Sequence, residues 1–313
     1  MSNLRDPLSD ILSAMSVSAA MPVRFESRGA YAMRFPAFRH LKFGAVLSGY
    51  LELRPLNGPV LELEAGDCYL LTDGAPYSSR TADVPEIDGE TFFASHRDPD
   101  GVVRYGEGPP DKVVIGGRFT FDETGAEWLR VALPSAIRIP AASPVAAPMR
   151  TTLALLGQEV GASGVGEELI VARLADILLA QALRAFLTLP GGASQSWLAG
   201  LADPRLGKAL RAFHAEIADE WTVGRLAAEA GMSRSSFAAN FHRRTGLTPM
   251  DYVARWRLFR IRSDIMRTGR SITVIAEENG WRSRTSCSRA FKELFGVSPR
   301  EAKLGFTLTE AGT

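Results

Sequence analysis

The chain has 313 residues, room for about two domains of the usual ~100–200 residues, and its 46% apolar and 23% charged content excludes a disordered or fibrous protein. The net charge of +1 hides an asymmetry: residues 201–313 carry 19 Lys and Arg against 12 Asp and Glu, whereas residues 1–200 carry 17 against 23. A basic C-terminal third points to a polyanionic partner for that third and leaves the acidic remainder for a different task.

Residues 3–15 read as one short amphipathic helix, with Asp6 as its cap and Pro7 in its first turn. From about Phe25 the pattern turns to short strands punctuated by Gly, Pro and Asp, at residues 43–53, 60–64, 68–71, 77–81 and 112–122. This spacing predicts an antiparallel sandwich or barrel. Residues 84–110, acidic and rich in Pro and Gly, read as surface loop, and residues 134–148, rich in Pro and Ala, as the exit from the β domain. Helices follow at 149–160 and 167–188, both apolar beyond a single stripe, which calls for partners on two sides: the barrel, and either the same chain or a second subunit. Residues 189–196 (LPGGASQS) have the composition of a flexible linker. The expected fold class is α+β multidomain, an N-terminal β-barrel or sandwich with flanking helices and a C-terminal all-α domain.

Residues 221–300 contain one helical device twice. Ser233, Phe241, Gly246 and Pro249 each have a like residue fifty positions on, in Ser283, Phe291, Gly296 and Pro299. Leu226, Ala227 and Gly231 stand forty-nine before Ile275, Ala276 and Gly280, so the second turn is one residue longer. Each copy reads as a helix capped by Thr (Thr222, Thr273), a turn at a Gly favouring positive φ, and a second helix capped by Ser233 or Ser283. Phe237 and Phe241, or Cys287 and Phe291, are one helical turn apart and form the core faces of those second helices. Such helix-turn-helix units present their second helix to the major groove of DNA. A helical bundle used only for protein contacts is the bland alternative; two copies with outward faces rich in Arg and Ser favour DNA.

These residues, with Trp221, Tyr252, Arg257-Leu258, Trp281, Arg289-Ala290 and Phe295, closely resemble the DNA-binding domain of the AraC/XylS family of bacterial transcription regulators. Residues 49–74 and 117–134 resemble, more weakly, the cupin-type sensor domain found in a branch of that family. The resemblance implies a sensor domain over 1–148, a helical dimerisation and linker region over 149–200, and a DNA-binding domain over 201–305. It implies that both second helices enter successive major grooves of a double-stranded operator. By position Ser235, Ala238 and Ala239 would face bases in the first helix, with Arg234 and Arg243 toward phosphates, and Arg284, Thr285, Ser288 and Arg289 would read from the second. Arginine can donate twice to guanine while alanine only touches a thymine methyl, so the second helix is expected to carry more of the polar readout. A homodimer, contact with RNA polymerase, and activation are further implied. Two positions depart from the family pattern: Cys287 where an aromatic or Leu is usual, and Ile261 where a small Ala is usual. Cys287 is expected to be a buried, inert thiol.

The competing class is a metal-dependent cupin enzyme, which needs a His-x-His pair, a Glu and a later His. The four histidines, His40, His96, His214 and His242, do not supply that set, and Tyr77 stands near the later His position. No metal, no cofactor and no catalytic apparatus are therefore expected. His40, Tyr50, Tyr77 and His96 are the candidates to line a barrel mouth that takes a small-molecule effector. Cys68 and Cys287 allow neither a disulfide framework nor a CxxC zinc site, and the apolar residues 169–189 are interrupted by Arg173, Asp176 and Arg184. A cytoplasmic protein with no membrane partner is expected.

Overall fold

The computed structural model describes residues 7–14, 17–20, 23–39, 41–121, 128–130, 132–159, 164–189, 196–268 and 270–303. It separates into two units, Met1–Met15 with Ala193–Thr313, and Ser16–Gly192.

The β unit comprises β1 (Val17–Ala20), β2 (Val23–Ser27), β3 (Ala32–Phe35), β4 (Leu41–Ser48), β5 (Tyr50–Pro55), β6 (Leu61–Glu64), β7 (Cys68–Leu71), β8 (Tyr77–Arg80) and β9 (Ile87–Asp88), then α1 (Gly89–Ser95), β10 (Val103–Tyr105), β11 (Lys112–Phe121) and β12 (Ala136–Ile139). One sheet runs β10-β2-β11-β4-β7-β12, with β1 also on β11; the other runs β6-β5-β8-β3-β9. Alternation sets the inner faces: in β5 Leu51 and Leu53 are buried while Tyr50 and Arg54 are exposed, and in β6 Leu61 and Leu63 point inward between Glu62 and Glu64. Phe25, Tyr31, Met33, Val46, Leu63 and Val103 belong to the shared core.

Two stretches expected as irregular are ordered. The acidic segment 84–110 holds β9, α1 and β10, and α1 is opened by Asp88, whose Oδ1 accepts the Thr91 N–H at 2.9 Å. The Pro/Ala-rich 134–148 contributes β12, paired with β7 through Ala136–Leu71 and Ile139–Cys68, so the chain re-enters the sheet there. Four residues flanked by prolines show too little alternation to announce a strand.

Two helices, α2 (Ala146–Glu159) and α3 (Glu167–Thr188), complete this unit. Their buried residues include Met149, Leu153 and Leu156 on α2 and Leu178, Leu179, Leu183 and Phe186 on α3. Leu155, Leu169, Ile170 and Ile177 remain exposed.

The second unit contains α4 (Trp197–Ala202), α5 (Leu206–Ala215), α6 (Val223–Glu229), α7 (Arg234–Thr245), α8 (Pro249–Thr268), α9 (Ile272–Glu278) and α10 (Arg284–Phe295). It also contains the N-terminal helix αN (Pro7–Ala14), which the sequence reading grouped with the residues of the sensor domain. The reason is chemical. The Asp10 carboxylate accepts from His214 Nδ1 of α5 at 3.0 Å and from Arg260 Nη1 of α8 at 2.9 Å, with Leu8 and Ile11 buried beside it. The expected cap Asp6 and most of the expected linker lie outside the described residues. The helices expected to form a separate 149–200 region belong with the barrel up to residue 192.

Candidate nucleic-acid interface and barrel cavity

The repeat is realised locally, with the same bonds at both turns and at the start of both second helices. Thr222 Oγ1 accepts the Arg225 N–H to start α6, while α9 begins at Ser271, not at the expected Thr273. Ser271 lies forty-nine residues after Thr222, the same offset that relates the two turns. At each turn a helix-end bond reaches back five residues: Met232 N–H to Ala227 O and Trp281 N–H to Ala276 O, both 2.9 Å. Gly231 and Gly280 hold the φ of +62° and +78° this requires. Ser233 and Ser283 then cap α7 and α10, each accepting at 3.3 Å from the N–H three residues on. Phe237 and Phe241 are buried under α7, Cys287 and Phe291 under α10.

That burial turns the opposite helix faces to solvent. Arg234, Ser235, Ala239 and Arg243 are exposed on α7 and Ala238 half-buried; on α10 Arg284, Thr285 and Arg289 are exposed and Ser288 half-buried. Arg289 is held by Glu293 at 3.0 Å and Arg243 by Asn240, whereas Arg284 makes no ion pair among the described residues. His242 and Lys292, one turn beyond Ala238 and Ser288, extend the same faces; the fifty-residue offset already pairs them.

What sets the two motifs against each other is a residue the sequence marks only by resemblance. Arg257 of α8 donates from Nε to Ile217 O at 2.9 Å, from Nη2 to Asp219 O at 2.5 Å and from Nη1 to Gly280 O at 3.3 Å. It thus fastens the entry to the first motif and the turn of the second to one guanidinium. A Cβ on Gly280 would lie 2.8 Å from both Ala218 O and that guanidinium, so the position has no room for a side chain. Arg282 and Glu220 add an exposed ion pair at 2.9 Å between the same segments.

The β unit encloses a cavity of ≈ 450 Å³, within the ~300–1,000 Å³ range of small-ligand sites. Rings of Phe25, Phe35, Phe43, Tyr69, Tyr77 and Phe93 line it, together with Lys42, Glu90, Arg97 and Arg118. Gly44 and Gly116 face each other across β4 and β11, and a Cβ on Gly44 would fall 2.5 Å from the Tyr69 ring: the missing side chains admit that phenol. Lys42 Nζ donates to the Tyr77 hydroxyl at 3.0 Å and lies 4.6–5.1 Å from the ring centroids of Tyr77, Phe38 and Phe35. Burial pushes this ammonium down to about 8, and it pushes the Tyr77 phenol well above its usual range.

Of the four residues expected at the barrel mouth, Tyr77 lines the cavity. Tyr50 points outward from β5, and His96 is exposed at the end of α1, stacked on Phe92 at 4.0 Å. His40 lies outside the described residues. Lys42 and Arg118 were passed over because charged residues within strands read as solvent-facing. Among the described residues no group of three His, Cys, Asp or Glu side chains is placed to hold a metal ion, and no helix is long and apolar enough to cross a membrane.

Comparison with known proteins agrees with both halves. The cupin family matches residues 6–188 and a helix-turn-helix domain family matches residues 226–304. An AraC-like transcription regulator of Streptomyces lividans is 35% identical over 297 residues, 94% of this chain and 96% of that protein. The HTH-type transcriptional regulator AlkR of Acinetobacter baylyi is 29% identical over 303 residues, 94% of this chain and 98% of that protein. Among solved structures, the DNA-binding domain of AdpA in complex with a target DNA is 22% identical, covering 36% of this chain and 99% of that one, with a TM-score of 0.34. ToxT of Vibrio cholerae is 13% identical, covering 94% and 99%, with a TM-score of 0.37. With a cupin domain in front and a duplicated helix-turn-helix behind, the chain belongs to the AraC-like family of transcription regulators.

Proposed function

We propose that this chain is a sequence-specific DNA-binding activator, cytoplasmic and without enzymatic activity. In this reading α7 and α10 enter successive major grooves of one double-stranded operator, about one helical turn apart. The observation that carries it is the duplicated, identically capped helix pair whose exposed faces are fastened in one arrangement by Arg257. The protein acts as a homodimer that recruits RNA polymerase; the exposed Leu169, Ile170 and Ile177 of α3 support a subunit contact on that helix. A small molecule in the barrel cavity acts as effector by favouring one presentation of the DNA-binding unit, through its differential affinity for two arrangements.

Nuclease footprinting of the purified protein on the DNA flanking its own gene, over a salt series, tests this. Two protected major-groove segments per subunit, with affinity falling steeply as salt rises, are expected. Protection of one segment alone would refute the two-groove arrangement. Within such a site Arg284→Ala should cost about 1–3 kcal/mol at one base pair and relax the preference there. An equal loss on every sequence would make Arg284 a phosphate contact instead.

A further inference from the structure

Lys42 stands in β4, an inner strand of the larger sheet between β11 and β7, where an ammonium is not expected without a partner. Its cross-strand partner is Arg118 of β11, a second cation directly opposite on the same face of the sheet. Like charges in that register repel each other. Both line the cavity, as does Arg97, and the one carboxylate among the lining residues is Glu90. Among the described residues no carboxylate stands within ion-pair distance of Lys42 Nζ, whose hydrogen bond goes to a neutral phenol and whose surroundings are rings. Three cations and one carboxylate thus line an otherwise aromatic chamber.

We infer that the cavity is a receptor for a monoanionic, largely apolar ring compound, an arylcarboxylate, whose carboxylate pairs with Lys42 beside Arg118 while its ring lies among Phe25, Phe35, Phe43 and Phe93. The inference rests on the effector reading above and names the chemistry of that effector. A carboxylate supplies the half-buried ammonium with an ion-pair partner and offsets its repulsion with Arg118. The aromatic lining offers offset and edge contacts to a flat ring. The Tyr77 hydroxyl accepts from Lys42, so its own proton is free to be donated onward to the incoming carboxylate.

This assignment has a pH signature. In the free protein burial, with Arg118 opposing it and Glu90 partly offsetting, leaves the Lys42 ammonium at about 8. The titratable groups lining the cavity with it are Glu90 from α1, Arg97 just beyond that helix, Arg118 from β11, Tyr31 before β3, Tyr69 from β7 and Tyr77 from β8. The Tyr69 and Tyr77 phenols stay protonated well past the usual range because of burial. A ligand that needs the ammonium thus loses apparent affinity with the protonated fraction, about tenfold for each pH unit above 8.

The test uses the full-length chain and two acid–amide pairs, 2-naphthoate with 2-naphthamide and benzoate with benzamide, titrated calorimetrically from about pH 7 to about pH 9.5. The acids should bind at least about tenfold tighter than their amides at pH 7, and that advantage should shrink as pH rises through 8. Lys42→Met should erase the advantage, bringing each acid to the affinity of its amide. Because the pH series is run on the wild-type protein, it stands even if the variant does not fold. Equal binding of acid and amide, or an acid preference that survives Lys42→Met, would overturn the anion assignment and leave an apolar receptor. Binding of neither pair would overturn the cavity as a ring-acid receptor and remove the support it lends to the effector reading.

Discussion

Two departures from the family pattern, one smaller and one larger than usual, share a single core. Cys287 and Ile261 both lie in the cluster of Leu258, Ile265, Ile275, Ala276 and Phe291. The Cys287 thiol, 1% exposed and pushed up to about 11 by burial, behaves as a small apolar residue. Arg257 is the opposite kind of residue, half-buried and bonded to three backbone carbonyls. Arg257→Met should cost about 2–4 kcal/mol in denaturant unfolding of the DNA-binding unit, since hydrogen bonds to charged groups are worth ~1.5–3 kcal/mol each and the freed carbonyls can reach water only in part. Arg257→Lys should recover only part of this, because one compact ammonium cannot span the carbonyls that a planar fork reaches. An unchanged unfolding midpoint in the Met variant would refute the clamp.

At the level of elements, the helices of the repeat were legible because their signals are local. A capping Ser, a Gly at the turn and two apolar residues one turn apart all lie within about a dozen residues of each other. Ser283→Ala should therefore lower stability by about 1 kcal/mol, the usual worth of an N-cap, read as a shift of the denaturation midpoint with an unchanged slope. A larger loss would mean that Ser283 does more than cap α10. The start of the second copy was misplaced by two residues, at Thr273 instead of Ser271, since either hydroxyl could open that helix. Strands were legible where alternation ran long, as in β4, β5 and β11. Among the short strands, β6, β7 and β8 were set off by Gly, Pro and Asp turns, whereas β3, β9, β10 and β12, of two to four residues, were missed and are held by pairing with distant strands.

For the whole molecule, the feature of greatest reach is αN. The chain passes between its two units twice, after this helix and again near residue 192. Asp10 anchors it through His214, which is fully buried, and through Arg260; His214 Nε2 in turn shares a hydrogen bond with the Tyr252 hydroxyl at 2.8 Å. Removing one member of a buried charged cluster leaves the others uncompensated. Asp10→Ala should thus destabilise the DNA-binding unit by about 3 kcal/mol and abolish hydrogen-exchange protection in αN. Retained protection would mean that Leu8 and Ile11 suffice to hold the helix.

The sequence by itself determined the duplicated reading heads, the acidic and basic halves, and the alternation of the longer strands, because each of these is written in neighbouring residues or in bulk charge. Only the tertiary structure decided that Lys42 faces Arg118, that Arg257 joins two motifs, and that Asp10 belongs with His214. The partners in these contacts lie 76, 23 and 204 residues apart. A contact at that separation leaves no periodic or local trace, since it depends on how sheets and helices pack and not on what stands next in the chain.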